Sequence, residues 1–156
     1  MTEIERIRDQ LARMFEGEAW HGTPIWTILS GVTAAQAFTR PIEGAHTIWE
    51  LVRHTTTWQS IVRRRVSGET ISEITDELNW PPASNDSESA WQTSLEELRE
   101  SYRELCDLVS GLSEEDLERE VVGKLRNYTV YQDLPGVIQH GLYHTGQTVM
   151  LLKALE

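Results

Sequence analysis

Trp91, Leu95, Leu98, Tyr102, Leu105 and Val109 recur at alternating intervals of four and three residues, with charged residues between them. Side chains at that spacing share one face of a helix and no face of a strand, so the segment has to bury a stripe against a partner. Three other segments carry the same signature. The first runs from about Thr2 to Phe15 with Ile4, Ile7, Leu11 and Met14 in register. The second begins after Gly44, carries Leu51, Trp58, Ile61 and Val62, and meets a natural stop at Gly68. The last begins near Val130 and aligns Val137, His140, His144, Leu151 and Leu155. The third starts near Asn85 or Ser87 and ends at Gly111. Thr47 with Glu50, and Thr129 with Gln132, have the spacing of a capping box, in which each side chain satisfies a backbone N–H at the helix start. Pro135 lacks the N–H that a helix interior uses, which predicts a kink in the last helix.

The segments between are rich in turn formers. Residues 69 to 90, including WPPASNDS, form a long connection whose prolines forbid a continuous helix. A short helix is expected near Pro24 to Leu29, and capped turns at Thr33 to Gln36 and Ser113 to Asp116. No strand-like alternation persists. The pattern predicts an all-α fold: a four-helix bundle with a long connection between the second and third long helices and short extra helices in the loops. At 156 residues, the chain (1–156) is expected to form a single domain.

Acidic residues outnumber basic ones 25 to 14, for a formal charge of −11. Such a surface repels phosphate backbones, so no nucleic-acid partner is expected. The one basic run, Arg63, Arg64 and Arg65, reads as a solvated helix face. The opening MTEIERIRDQLARMF is charged and amphipathic rather than like a signal peptide, and no stretch has the apolar length of a membrane span. The single cysteine, Cys106, allows no internal disulfide and reads as a small core residue. A soluble cytoplasmic protein is expected, which leaves the sequons at Asn85 and Asn127 without meaning.

One helix face breaks the apolar rule. His140 and His144 stand one turn apart on the inward stripe of the last helix, and His54 lies in the stripe of the second. Imidazoles four residues apart can bind one metal ion together, and a third from a facing helix leaves a coordination position open. Each buried imidazole would otherwise need its own hydrogen-bond partner, at about 1–3 kcal/mol for each one left unpaired. Imidazole ligands suit Zn²⁺ or Ni²⁺ without deciding between them. The sequence lacks the His-Glu-x-x-His motif of zinc peptidases, because residue 141 is Gly. Glu50, one turn before His54, reads as a cap residue. Gln147 is a candidate to orient an imidazole or meet a bound water, and Tyr143 to donate a phenol to a substrate or to pack. His21 and His46 sit in loop or cap contexts, with His46 as the reserve ligand. No P-loop, dinucleotide-binding glycine pattern or nucleophile elbow is present.

GAHTIWELVRHTTTW, then DELNWPP, a helix containing Trp91, and YTVYQDLPGVIQHGLYHTGQTVMLLKAL together resemble the DinB-like (DinB/YfiT-type) superfamily of metal-dependent bundle proteins. The resemblance runs from the WHG turn near His21 to the end of the chain, and YH-x-GQ is its most specific part. It implies a four-helix bundle, often a homodimer, with a divalent metal held by His54, His140 and His144. It also implies a class of reaction, since characterised relatives include thiol-dependent S-transferases and a thiol-dependent isomerase. No residue selects a particular thiol or substrate. Two functions follow from different classes. One is a metal-dependent enzyme, a thiol-dependent S-transferase or a related hydrolase. The other is a non-catalytic bundle for dimerisation or binding, with a structural or vestigial metal site.

Overall fold

The structure, a computed structural model, describes residues 1–83, 85–122 and 127–156. Four long helices carry it: α1 (Glu3–Phe15), α4 (Ile48–Val66), α6 (Glu88–Ser110) and α7 (Val130–Ala154). Three short ones sit in the connections: α2 (Ile25–Leu29), α3 (Ala34–Phe38) and α5 (Asp76–Asn79). The chain is the expected all-α bundle. Each of the four long helices starts on a local side-chain cap. Thr2, Thr47 and Thr129 each close a capping box, with Glu5, Glu50 and Gln132, and Ser87 caps α6 by accepting from the Ala90 N–H. Ser87 therefore fixes the start of α6, in preference to Asn85. The helix α7 runs through Pro135 in one piece.

Two features escaped the periodicity. Glu120–Val121 (β1) pairs antiparallel with Tyr128–Thr129 (β2), in the register Glu120 to Thr129 and Val121 to Tyr128. Two-residue strands are too short to show alternation. Their ladder delivers Thr129 straight into the α7 cap, and the Val130 N–H donates to the Arg119 carbonyl at 2.9 Å. The second feature is α5, which lies inside the predicted connection and is capped by Thr75. Ser84, within WPPASNDS, lies outside the described residues.

Both α1 and α4 pack on α6 and α7, so the long helices stand at the corners of a square with α1 diagonal to α4. All six residues of the α6 stripe are buried, as are Ile4, Ile7, Leu11 and Met14 of α1. Polar pins fix the register between α4 and α6. The Trp49 indole N–H donates to Ser94 Oγ at 2.9 Å, and Ser101 Oγ donates to Gln59 Oε1 at 2.5 Å. Trp91 is fully buried, meets Trp49 edge to face at 5.2 Å and donates its N–H to the Val32 carbonyl at 2.7 Å. On the opposite side, Gly141 lets α1 approach α7. A Cβ there would sit 2.5 Å from Met14 Sδ.

The basic run is not one solvated face. Arg64 pairs with Glu69 and Arg63 with Glu104 near the surface, but Arg65 is only 4% exposed. Arg65 turns inward because position 65 falls on the same helix face as Trp58, Ile61 and Val62.

Trp91→Ala removes one of the two buried tryptophans at the α4–α6 seam and the N–H that the Val32 carbonyl accepts. Urea denaturation should show a loss of about 3–5 kcal/mol, the range for truncating a buried aromatic residue.

Candidate metal centre

Register on two adjacent helices brings the three inward histidines to one point. His54, on α4, and His144, on α7, are each 5% exposed, and His140 is half-buried one turn before His144. His54 Nε2 and His144 Nε2 each lie 3.0 Å from His140 Nε2. One nitrogen from each ring falls within 4.8 Å of the others, and no fourth His, Cys, Asp or Glu joins them among the described residues.

Counting protons shows what the cluster lacks. His54 Nδ1 lies 2.6 Å from the Asn79 carbonyl oxygen, which can only accept, so Nδ1 carries the proton and Nε2 a lone pair. His144 Nδ1 donates to Gln147 Oε1 at 2.6 Å, which leaves its Nε2 in the same state. Two lone pairs thus point at His140 Nε2, and a neutral His140 can satisfy at most one of them. Its own Nδ1 is buried without a partner. The three Nε2 atoms could be satisfied together by a cation, which would turn their mutual repulsion into coordination. Zn–N bonds of about 2.0–2.1 Å at tetrahedral angles would set the nitrogens about 3.3 Å apart. The observed 3.0 Å contacts fall close to that spacing. The donor set fits a divalent metal ion.

The sequence between residues 19 and 147 matches a family model described as the DinB superfamily. The chain belongs to the DinB superfamily. Among solved structures it resembles the crystal structure of a conserved protein from Enterococcus faecalis, with a TM-score of 0.69. That match has 17% identity and covers 99% of this chain and 97% of the other, so it speaks to the fold alone. No curated protein matches the sequence.

In this DinB-superfamily bundle the predicted connection helps to build the site. The carbonyl of Asn79, at the end of α5, fixes His54, while its side-chain oxygen accepts from the Trp58 indole N–H at 2.9 Å. Trp80 follows. His46 and His54 both stack on it within 8° of parallel, at 3.5 and 3.8 Å between ring centres. Two rings that close to one indole can only lie on its opposite faces. Trp80 is therefore clamped between a surface histidine and a buried one. Hydrogen bonds that hold the Nδ1 proton and the ring plane are what a metal-binding imidazole uses to keep its lone pair aimed.

The remaining candidates separate cleanly. Gln147 lies beside the cluster through its bond to His144, and Tyr143 meets His144 edge-on at 5.1 Å while staying 65% exposed. His46 Nδ1 faces Glu50 Oε2 at 3.1 Å, away from the three converging nitrogens. The Glu50 carboxylate is tied to Thr47, Arg40 and His46. His21 is exposed in the turn bridged by Ala19 and Gly22. Cys106 is half-buried and burial pushes its thiol pKa up, which makes it a poor nucleophile. At the site, sequence reading passed over Asn79, Trp80 and Asp133 and took Arg65 for a solvated residue. The DELNWPP stretch was the available signal for the first two.

Burial lowers the pKa of all three cluster imidazoles, His54 to about 4 and His140 to about 3, with neighbouring histidines adding to the effect. The neutral, lone-pair form is therefore the one present at neutral pH. In the metal-free protein the unfolded chain takes up protons below about pH 6.5 while the folded cluster does not. Stability should then be full above pH 6.5 and fall as the pH drops. Urea midpoints at pH 7 and pH 5, above the carboxylate range, should show this loss, and His140→Leu should shrink it.

Proposed function

We propose that this chain is a divalent-metal-dependent enzyme in which His54, His140 and His144 hold Zn²⁺ or Ni²⁺ and a low-molecular-weight thiol is the cosubstrate for S-transfer. The observation that carries this reading is the junction of the cluster with a cavity. His54 and His140 form one end of a space of about 520 Å³ between α4 and α7. Structural zinc sites are closed by four protein ligands, whereas three ligands beside an opening suit an exchangeable fourth. The chemistry that a divalent ion supplies in such a place is acidification of a bound sulfur or oxygen donor.

The protein's own residues bias the choice between the two donors. Trp58, Val62 and Val137 give the cavity apolar walls, which suit an organic cosubstrate better than bulk water. Among the described residues no carboxylate joins the cluster to take a proton from water, and Glu50 is committed to its cap. A thiol brings its own nucleophile and needs less help. Hydrolysis is the second reading on the same centre, and a non-catalytic bundle the third. The reading includes a homodimer, supported by exposed Tyr143 and Met150 two turns apart on α7. It includes a reducing cytoplasm, supported by the unpaired Cys106. No helix among the described residues is long and apolar enough to cross a membrane.

Elemental analysis of protein purified without a histidine tag should find about one divalent ion per chain, lost in His54→Ala and His140→Ala and kept in His46→Ala. Metal content indifferent to all three substitutions would sink the ligand set. Loaded protein should also consume a thiol in the presence of an electrophile, and each ligand substitution should lower that rate by at least the 10–100-fold typical of weaker, outer-shell changes. Hydrolysis without thiol consumption would select the second reading, and metal binding with neither activity the third.

A further inference from the structure

The cavity has a second polar end. Along α4 its lining residues are His54, Trp58, Val62 and Arg65, and along α7 they include Asp133, Val137 and His140. These positions repeat on one face of each helix, so the histidines stand at one end of a groove and Arg65 and Asp133 at the other. At 1.5 Å per residue, the seven residues from Asp133 to His140 span about 10 Å.

Both distal groups are costly to keep. Asp133 is 8% exposed, and its Oδ2 is buried with no hydrogen-bond partner. Arg65 is 4% exposed, held by two donations to the Ile71 carbonyl, from Nε at 3.1 Å and Nη2 at 2.8 Å, and it lies 5.9 Å from the centre of the Trp58 ring. Those bonds use Nε and Nη2, and among the described residues none is made by Nη1. Arg65 acts on the Asp133 carboxyl through space, yet no ion pair joins the two among the described residues. Burial pushes the Asp133 pKa up and Arg65 only partly offsets it. Opposite charges held apart in a low-dielectric groove are unfavourable for stability alone and complementary to a ligand that carries both signs.

We propose that Arg65 and Asp133 form a subsite for the head of an amino-acid-type substrate, its carboxylate on Arg65 and its ammonium on Asp133, with an apolar body along Trp58, Val62 and Val137. The far end of that molecule, about 10 Å away, reaches the histidines. The inference rests on the proposed metal centre only for what that far end meets.

Three matched probes separate the two charges: 2-aminooctanoate carries both, octylamine only the cation and octanoate only the anion. Calorimetry on metal-free protein should show 2-aminooctanoate binding at least tenfold tighter than either of the others. Asp133→Asn should reduce it to the level of octanoate without weakening octanoate itself. Because that substitution removes an unpaired buried charge, its melting temperature should equal or exceed that of the parent. Arg65→Gln should reduce 2-aminooctanoate to the level of octylamine, and where it fails to fold, the Asp133→Asn arm decides. Equal affinity for the three probes, no effect of Asp133→Asn, or lost binding together with a lowered melting temperature would each overturn the proposal. The two readings fail separately. A His54→Ala protein that loses metal and keeps the probe preference supports the subsite. Zinc bound by the parent without any preference among the probes removes the subsite and leaves the metal centre standing.

Discussion

Two imidazole lone pairs aimed at a third ring, with no proton available to satisfy both, is the constraint around which the rest of the site is arranged. An apolar bundle gains nothing from such a cluster on its own. Leucine at these positions would bury more apolar surface and leave no polar atom unmet. The hydrogen bonds from His54 to the Asn79 carbonyl and from His144 to Gln147 do not relieve the conflict; they create it, by fixing both protons on the far nitrogens. A cluster whose outer bonds turn its lone pairs towards each other is organised for something positive to sit between them.

That arrangement explains the architecture of the connection between α4 and α6. A plain bundle would need only enough chain to cross from one helix end to the next. Here the crossing makes a short helix whose final carbonyl holds an imidazole, followed by an indole that stacks on the same ring. The stack continues to His46, which is tied to the Glu50 cap at the start of α4. His54 is thus braced from the connection and from the beginning of its own helix. Its ring has little freedom left, which is what a narrow coordination geometry requires.

The fold was legible because its information is periodic and local. The α6 stripe, the threonine caps and the glycine stops each act within a few residues, and together they set the four long helices nearly to their ends. The histidine trio was legible for the same reason, since helix-face arithmetic places all three inward without knowledge of the packing. What stayed hidden was non-periodic. Residues Asp76–Asn79 make barely one turn, and their role depends on where the carbonyl of Asn79 arrives in space. The β1–β2 ladder is two residues deep and has no period to detect. Arg65 was misjudged because a triplet of arginines reads as one charged patch, although successive helix positions point about 100° apart and only one of the three faces the interior.

The misreading of Arg65 bears on function more than on fold. On α4 the same face that carries His54 carries Arg65 three turns later, and on α7 the face of His140 carries Asp133 two turns earlier. The two helices that meet at the histidines therefore also meet at a pair of opposite charges, with apolar residues between. A bundle core selected for stability alone would hold neither buried charge, because the Ile71 carbonyl repays the hydration of Arg65 only in part and nothing among the described residues bonds Asp133 Oδ2. Their placement along one groove, in line with the cluster, is the pattern expected when one molecule is gripped at one end and altered at the other.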